Sequence, residues 1–147
     1  MIIIVDANIL ISGIINTHGT IKSLLLNTNN SIELIIPEFA IIEIGLHKNK
    51  ICSTTSITPE IFDNLLSRYL KNITQFSHEA IKLSDYNKAE KIAAPFDSND
   101  AWYIALSLSM DAVLWTGDLK LFRGLRRTGF YNIITTNEFM QIIKSIY

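Results

Sequence analysis

The fold is decided by the stretch Ile2-Ile3-Ile4-Val5-Asp6, in which four β-branched residues run together until a carboxylate ends them. A β-branched run without polar alternation is typical of a strand buried on both faces, as in parallel sheets. Similar runs recur at 34–36, 112–115 and 133–135. Because helical patterns lie between these runs, the sequence predicts one α/β domain over residues 1–147 with a mainly parallel central sheet.

Helix signals occupy the segments between the predicted strands. Pro37 suits a first helical turn, since its missing N–H would have no partner there. Thr58 and Pro59 resemble an N-cap followed by a first-turn proline, and they open a predicted helix that ends near residue 73. A buried helix is predicted over 101–110, and Thr136 or Asn137 caps a last helix that ends near 146. Residues 48–97 hold no convincing long strand and are predicted to form a helical excursion on one side.

Composition excludes several classes of protein. Of the 147 residues, 48% are hydrophobic and 18% are charged, which is incompatible with intrinsic disorder. The formal net charge of −1 excludes a generally basic protein that coats nucleic acid, although it allows a local basic patch. The single cysteine, Cys52, excludes a disulfide framework and a multi-thiolate metal site and fits a reducing cytoplasm. No apolar run approaches the roughly 18 residues of a membrane span and no signal peptide is recognisable, so we expect a cytoplasmic protein without a membrane segment.

Four acidic residues fall where a parallel sheet binds its ligands, beyond the carboxyl ends of the strands. Asp6 ends the first strand run, and Asp118 follows the run at 112–115 after a two-residue turn. Asp100 lies in the first turn of the helix predicted over 101–110, and Glu43 lies in the helix after the second run. Three of them have alternative explanations. Asp100 could interact with the helix dipole, Asp118 could cap the helix that follows it, and Glu43 could face solvent. Asp6 is harder to explain without a ligand, because a buried carboxylate is costly unless something binds it.

Four carboxylates that converge at one sheet edge would repel one another, and a divalent cation is the usual remedy. Oxygen ligands without a cluster of histidine and cysteine favour Mg²⁺ or Mn²⁺ over zinc. The three histidines share no metal-ligand spacing and are interpreted as solvated side chains. Mg²⁺ keeps several waters and joins substrate phosphates to a few carboxylates, which suits hydrolysis of a phosphodiester.

Three stretches of the chain carry a resemblance to a known family. They are Ile3-Ile4-Val5-Asp6-Ala7-Asn8, then Pro37-Glu38-Phe39-Ala40-Ile41-Ile42-Glu43-Ile44, and last Asp97-Ser98-Asn99-Asp100-Ala101-Trp102-Tyr103-Ile104-Ala105-Leu106, which runs on to Leu114-Trp115-Thr116-Gly117-Asp118. With these stretches in this order and at this spacing, the sequence resembles PIN-domain proteins, the nuclease family that includes VapC-type toxins of toxin–antitoxin pairs. The central segment 48–91 matches that family only loosely.

The resemblance implies a three-layer α/β/α sandwich with a divalent-metal site. It carries catalytic and metal-binding roles onto four residues: Asp6, Glu43, Asp100 and Asp118. It also gives supporting roles at that site to three polar residues: Asn8, Asp97 and Thr116. Because no member of the acidic quartet is missing, the resemblance favours an active nuclease over a catalytically inactive relative.

Two further features bear on the substrate. Basic residues follow Asp118 at spacings that place several on one side of a helix, where we expect them to contact RNA phosphates: Lys120, Arg123, Arg126 and Arg127. The alternative is a solvated helix face. The rings of Trp102 and Tyr103, beside Asp100, would stack on an unpaired base or belong to the core.

The leading hypothesis is a Mg²⁺- or Mn²⁺-dependent endoribonuclease that acts on single-stranded or looped RNA. Its expected setting is a toxin neutralised by a small, separately encoded antitoxin, and a homodimer is a further hypothesis about partners. Two alternatives stay open. One is a metal-dependent phosphatase or phosphotransfer domain, which usually has a second acid where this chain has Asn8. The other is a non-catalytic module of the same fold that binds RNA or protein.

Overall fold

The central sheet has five parallel strands in the order β3-β2-β1-β4-β5. The computed structural model describes all residues from 1 to 147. The strands are β1 (Ile2–Val5), β2 (Glu33–Pro37), β3 (Ile73–Phe76), β4 (Val113–Trp115) and β5 (Ile133–Ile134). The chain runs outward from β1 to β2 and β3, and then returns to the other side of β1 for β4 and β5. The gap between the ends of β1 and β4 is therefore the switch point, where sheets of this type bind their ligands.

Helices cover both faces of this sheet. They are α1 (Ala7–Ile15), α2 (Thr20–Leu26), α3 (Glu38–Thr54), α4 (Pro59–Leu70), α5 (Leu83–Ala93), α6 (Asp100–Met110), α7 (Leu119–Arg127) and α8 (Thr136–Ile146), with a 3-10 helix at His78–Ala80. One group contains α1, which packs against α2, α3 and α4; in another, α5 packs along α6, which contacts β1, β2 and β4. The central strand β1 is accordingly buried from Ile3 to Val5. The predicted three-layer α/β/α sandwich is confirmed.

The core is one cluster of 35 buried hydrophobic residues. At its edge, Trp115 ends β4 and is wholly buried, with its ring edge-to-face on Phe139 of α8 at 4.7 Å between centroids. The Trp115 indole N–H donates to Thr136 Oγ1 at 3.0 Å. These contacts fix the carboxyl end of β4, from which the next polar residues project. No helix of this chain could cross a membrane by itself; α1 and α2 reach the length and apolar character of a span only as a pair bent by 116°.

The structure departs from the sequence-based predictions mainly between residues 48 and 97. The helix predicted to end near Ile73 ends at Leu70, and Ile73 instead begins β3, an edge strand of which only Ile73 is buried. Pro37 is the last residue of β2 and the N-cap of α3, one position earlier than predicted. The last helix is capped by Thr135, whose side chain forms a capping box with Glu138.

Candidate metal centre

Asp6 is the buried centre of the site. Its backbone N–H donates to Trp115 O at 3.1 Å, so the pairing of β1 with β4 fixes its position. Asp6 is also the N-cap of α1, and its carboxylate accepts hydrogen bonds from the Asn8 N–H at 3.3 Å and from the Thr116 hydroxyl at 2.7 Å. Only 5% of the residue is exposed. Burial raises the pKa of Asp6, the hydrogen bonds from Thr116 and Asn8 oppose that rise, and the charge of Asp118 adds to it.

Asn8 and Thr116 tie the end of β1 to the turn after β4. The Asn8 side-chain amide donates to Asp6 Oδ2 at 3.1 Å and to Thr116 Oγ1 at 3.4 Å, while its oxygen accepts from the Gly117 N–H at 3.0 Å. The Thr116 hydroxyl donates to Asp6 and accepts from the Asp118 N–H at 3.1 Å. Two acids from different strand ends are thus connected through two neutral side chains, which is the arrangement expected of supporting residues.

Asp118 combines a structural contact with a place in the site. It is the N-cap of α7, and its Oδ1 accepts from the Leu121 N–H at 3.0 Å. The capping interpretation from the sequence is therefore correct, but the cap uses one carboxylate oxygen of two. The residue also lines a cleft that contains Asp100. Capping and metal binding are compatible at this position.

A small cleft joins the starts of α6 and α7. It has a volume of about 200 Å³, and it is lined by Pro95, Phe96, Asp97, Asp100, Asp118, Lys120 and Leu121. Asp100 is the first residue of α6. Burial raises the pKa of Asp100 to about 7, and the charges of Asp6, Asp97, Asp118 and Glu43 contribute to that rise in descending order. The four predicted ligands and Asp97 therefore form one electrostatic cluster.

Glu43 reaches this cluster from α3. Its Oε1 accepts a hydrogen bond at 3.2 Å from the hydroxyl of Tyr103, which in turn accepts from the Ala7 N–H at 3.1 Å. Burial and the charge of Asp6 raise the pKa of Glu43 to about 7, the Tyr103 hydrogen bond opposes this rise, and Asp97 adds to it. Glu43 is half-buried and turned toward Asp6, so the solvent-facing alternative is not what the structure shows.

Tyr103 is the site residue that the sequence did not reveal. Of the two alternatives for its ring, base stacking and the core, the structure shows the core, because only 1% of the residue is exposed. The available signal was its position three residues after Asp100, since positions i and i+3 lie on the same face of a helix. Trp102 is half-buried and packs with three rings: Tyr86 at 4.5 Å, His78 at 5.7 Å and Phe39 at 6.3 Å between centroids.

The donor set of the cluster fits Mg²⁺ or Mn²⁺. All its candidate ligating atoms are oxygens, and the mutual repulsion that adds to the effect of burial on the pKa values of Asp100 and Glu43 would be relieved by a divalent cation. No three histidine, cysteine, aspartate or glutamate side chains are placed so that they could hold a metal ion together, so a cation here would bind one or two carboxylates and complete its coordination with water. That arrangement suits Mg²⁺, which keeps several waters and uses one or two protein carboxylates.

The basic residues of α7 divide into two sets. Lys120 lines the cleft beside Asp100 and Asp118. Arg123 and Arg127 are exposed and follow Lys120 by three and seven residues, so all three lie along one face of the helix. This face continues outward from the margin of the acidic cluster.

Arg126 forms the other set, because its guanidinium makes contacts within the protein. It donates to Ile133 O at 3.1 Å, forms an ion pair with Glu138 at 3.1 Å, and lies 4.3 Å from the ring centroid of Phe122. These contacts attach α7 to β5 and α8. They give Arg126 a structural role, and the RNA contact expected of it from the sequence stays a prediction.

Comparison with known proteins bears on the whole chain. The sequence model described as the PIN domain matches residues 4–140, a stretch that contains all four acids of the cluster. The chain belongs to the PIN domain family. The resemblance to this family is thereby confirmed, and the match spans the segment 48–91, where the resemblance is loose. A search of the curated proteins finds no match.

Solved structures of other proteins share the fold of this PIN domain. VapBC2 from Rickettsia felis, bound to a DNA fragment from its promoter, matches with a TM-score of 0.62 and 18% identity over 92% of this chain and 97% of that chain. PAE2754 from Pyrobaculum aerophilum matches with a TM-score of 0.69 and 16% identity over 97% and 89%. VapBC-1 from nontypeable Haemophilus influenzae matches with a TM-score of 0.63 and 18% identity over 93% and 99%.

Proposed function

We propose that this PIN domain is a Mg²⁺- or Mn²⁺-dependent endoribonuclease and the toxin of a toxin–antitoxin pair. The observation that carries the proposal is the convergence of four carboxylates at the switch point of the sheet, where burial and mutual repulsion raise the pKa values of three of them. Clustered acids with pKa values shifted upward are characteristic of functional sites. A fold alone would not require this costly arrangement.

The residues of the site would divide the work as follows. The bound cation would supply charge neutralisation at the phosphate and an activated water. Asp6, Asp100 and Asp118 would hold it, one or two of them directly and the others through metal-bound waters, because they lie at two strand ends and a helix start that adjoin the same cleft. Glu43 would complete the site directly or through a water. In the metal-free protein the pKa values of Asp100 and Glu43 are about 7, so binding of the cation near neutral pH would displace protons from these carboxyl groups.

An RNA strand would be drawn to the cleft by the exposed face of α7. The net charge of −1 gives no overall attraction for RNA, and the acidic cluster repels phosphate in the absence of a cation. Lys120, Arg123 and Arg127 supply positive charge at the margin of the cleft. Contacts of this kind position the phosphate backbone without reading the base sequence.

A protein partner is supported by the surface beside Glu43. Ile42 and Leu46 of α3 are 61% and 78% exposed, and they lie one turn apart on the helix that carries Glu43. Two exposed apolar side chains on one helix face form a small apolar patch that a protein partner could cover. The VapBC structures share this fold, and a small antitoxin is therefore the partner we propose. The test is expression of the chain in a bacterial host, where we expect growth arrest that a small protein encoded next to it reverses.

Cleavage of labelled RNAs tests the enzymatic proposal. We expect cleavage with Mg²⁺ or Mn²⁺, none with EDTA, and none by Asp6→Asn at any metal concentration. Glu33→Gln is the matched control, because it removes the same charge from an exposed residue at the opposite end of the sheet and should cleave normally. Wild-type cleavage by Asp6→Asn would place the active site elsewhere. RNA binding without cleavage would favour the non-catalytic module instead.

The phosphatase alternative has less support in the structure. Its usual second acid would stand at Asn8, whose amide is fully engaged with Asp6, Thr116 and Gly117. An assay for phosphate release from a phosphomonoester separates the two activities, and we expect none.

A further inference from the structure

Tyr103 connects the two sides of the acidic cluster through one hydroxyl. Its oxygen accepts from the N–H of Ala7, the residue directly after Asp6, at 3.1 Å. The same hydroxyl donates to Glu43 Oε1 at 3.2 Å. A phenol has a single proton. This hydroxyl accepts from the Ala7 N–H, and its proton is donated to Glu43, whose Oε1 lies within hydrogen-bond distance.

We propose that Tyr103 is a positioning residue that holds the Glu43 carboxylate in the geometry needed for divalent-metal binding. The inference rests on the proposed function, in which Glu43 serves a metal site. Glu43 is half-buried on α3 and has three rotatable side-chain bonds, and the Tyr103 hydroxyl is the one hydrogen-bond donor that it contacts. Tyr103 is itself anchored by the backbone next to Asp6, so the bond sets Glu43 relative to the buried centre of the site.

A direct contact between Tyr103 and the substrate is excluded by its burial, since 1% of the residue is exposed. Its ring lies in the core on the face of α6 one turn after Asp100. The hydroxyl is therefore a polar group in an apolar setting, which is tolerated only when its hydrogen bonds are made. Both of its partners belong to the cluster or adjoin it. Partners that orient metal ligands in this way typically contribute a factor of 10 to 100 in metal affinity.

The test is Tyr103→Phe, which removes one oxygen and leaves the ring. We expect the dissociation constant for Mn²⁺, titrated into the purified full chain, to rise about 10-fold. In the cleavage assay, the Mn²⁺ activation curve should shift to higher concentration by the same factor while its plateau stays close to that of the wild type. A loss of packing alone would lower the melting temperature without moving the Mn²⁺ midpoint.

Tyr69→Phe is the matched control, because Tyr69 is equally buried and its hydroxyl donates to Gly13 O at 2.6 Å, in a contact outside the cluster. It should lose stability in EDTA but bind Mn²⁺ like the wild type. A second comparison uses Glu43→Gln. If Tyr103 acts through Glu43, then adding Tyr103→Phe to Glu43→Gln should leave Mn²⁺ affinity unchanged within twofold.

The outcomes separate the two proposals. If the wild type binds no Mn²⁺, both the proposed function and this inference are wrong. If the wild type binds Mn²⁺ and Tyr103→Phe binds it as tightly, or if the substitution weakens binding equally in the Glu43→Gln background, only the inference about Tyr103 is overturned.

Discussion

Replacing Asp100 by asparagine should stabilise the metal-free protein at neutral pH. The folded state raises the pKa of Asp100 from 3.8 to about 7, through burial and the charges of four other acids. At about 1.4 kcal/mol for each tenfold change in proton affinity, a fully dry site would lose roughly 4 kcal/mol on ionisation. Asp100 is only partly buried, and solvent screening reduces this cost to about 1 kcal/mol. In a chain of 147 residues, 1 kcal/mol corresponds to about 3 °C in Tm.

The sign of this effect fixes its pH dependence. Between about pH 4 and 7, the folded protein keeps a proton on Asp100 that the unfolded chain has released, so the stability of the wild type falls as the pH rises through this range. The cost is absent below about pH 4 and complete above pH 7. The Tm advantage of Asp100→Asn, measured in EDTA by thermal denaturation, should therefore grow from near zero at pH 4.5 to about 3 °C at pH 7.5.

Adding Mn²⁺ should reverse the order of the two proteins. At 100 times its dissociation constant, a ligand stabilises the folded state by about 2.7 kcal/mol. Asp100→Asn removes a proposed ligand and should gain little from the same concentration. Glu33→Gln, with the same change in net charge, should follow the wild type in both conditions. An advantage for Asp100→Asn that is the same at pH 4.5 and 7.5, or a destabilisation in EDTA at pH 7.5, would refute the argument from clustered charge.

Two further predictions concern α7. The double substitution of Lys120 and Arg123 by alanine should weaken RNA binding about equally for all base sequences and lower the log–log slope against salt by about 0.7 for each lost single-strand contact, as measured by binding from low to high salt. Gly124→Ala should lower the Tm by about 3–9 °C and reduce cleavage, because a Cβ at Gly124 would overlap the Phe96 ring that lines the cleft, and overpacking costs about 1–3 kcal/mol.

Each of these has a control on a related residue. Arg126→Ala also removes a positive charge from α7, but it breaks the ion pair with Glu138, so it should lower the Tm and leave the salt slope almost unchanged. A fall in slope equal to that of a Lys120 or Arg123 substitution would show that Arg126 does contact RNA. Gly45→Ala adds the same methyl group on α3, where no atom outside the adjoining helical backbone lies within 4 Å of it, and it should be neutral or stabilising. A similar loss of Tm in both glycine variants would refute the role given to the Phe96 contact.

Most of the fold could be predicted from the pattern of strands in the sequence. Four of the five strands contain short apolar runs, and they could be found because burial on both faces of the sheet removes polar alternation from them. The sequence does not predict β3, because this strand lies at the sheet edge and buries only Ile73, so it has no apolar run. The sequence does not predict α1 either, because residues 9–15 are almost all apolar and a continuous apolar run shows no helical periodicity.

The acidic cluster was predictable and the contacts that organise it were not. Strand order decides which chain ends meet, and the rule for parallel sheets brings Asp6 and Asp118 to one edge. The sequence positions of Tyr103 and Arg126 do not show which residues the Tyr103 hydroxyl and the Arg126 guanidinium will contact. Tyr103 bonds Glu43, which is 60 residues away in sequence, and Arg126 bonds Glu138, which is 12 residues away. Such pairs form only through tertiary packing. A helical sequence pattern predicts which face of the helix carries a side chain, but not which distant residue it will contact.

The structural roles of the acids also explain why no single acidic position in the sequence is sufficient to predict a metal site. Asp6 and Asp118 each cap a helix, and Asp100 occupies a first turn, so each aspartate sits where a helix stabilises negative charge in any protein. Capping by itself would spread such residues over separate helix ends, where each could be hydrated. Here three helix starts meet at the junction of β1 and β4, and the favourable interaction of each acid with its own helix is opposed by the charges of the others. Burial is the largest cause of the raised pKa values of Asp6, Asp100 and Glu43, and the charges of neighbouring acids add to it. A divalent cation bound between these carboxylates would relieve the repulsion.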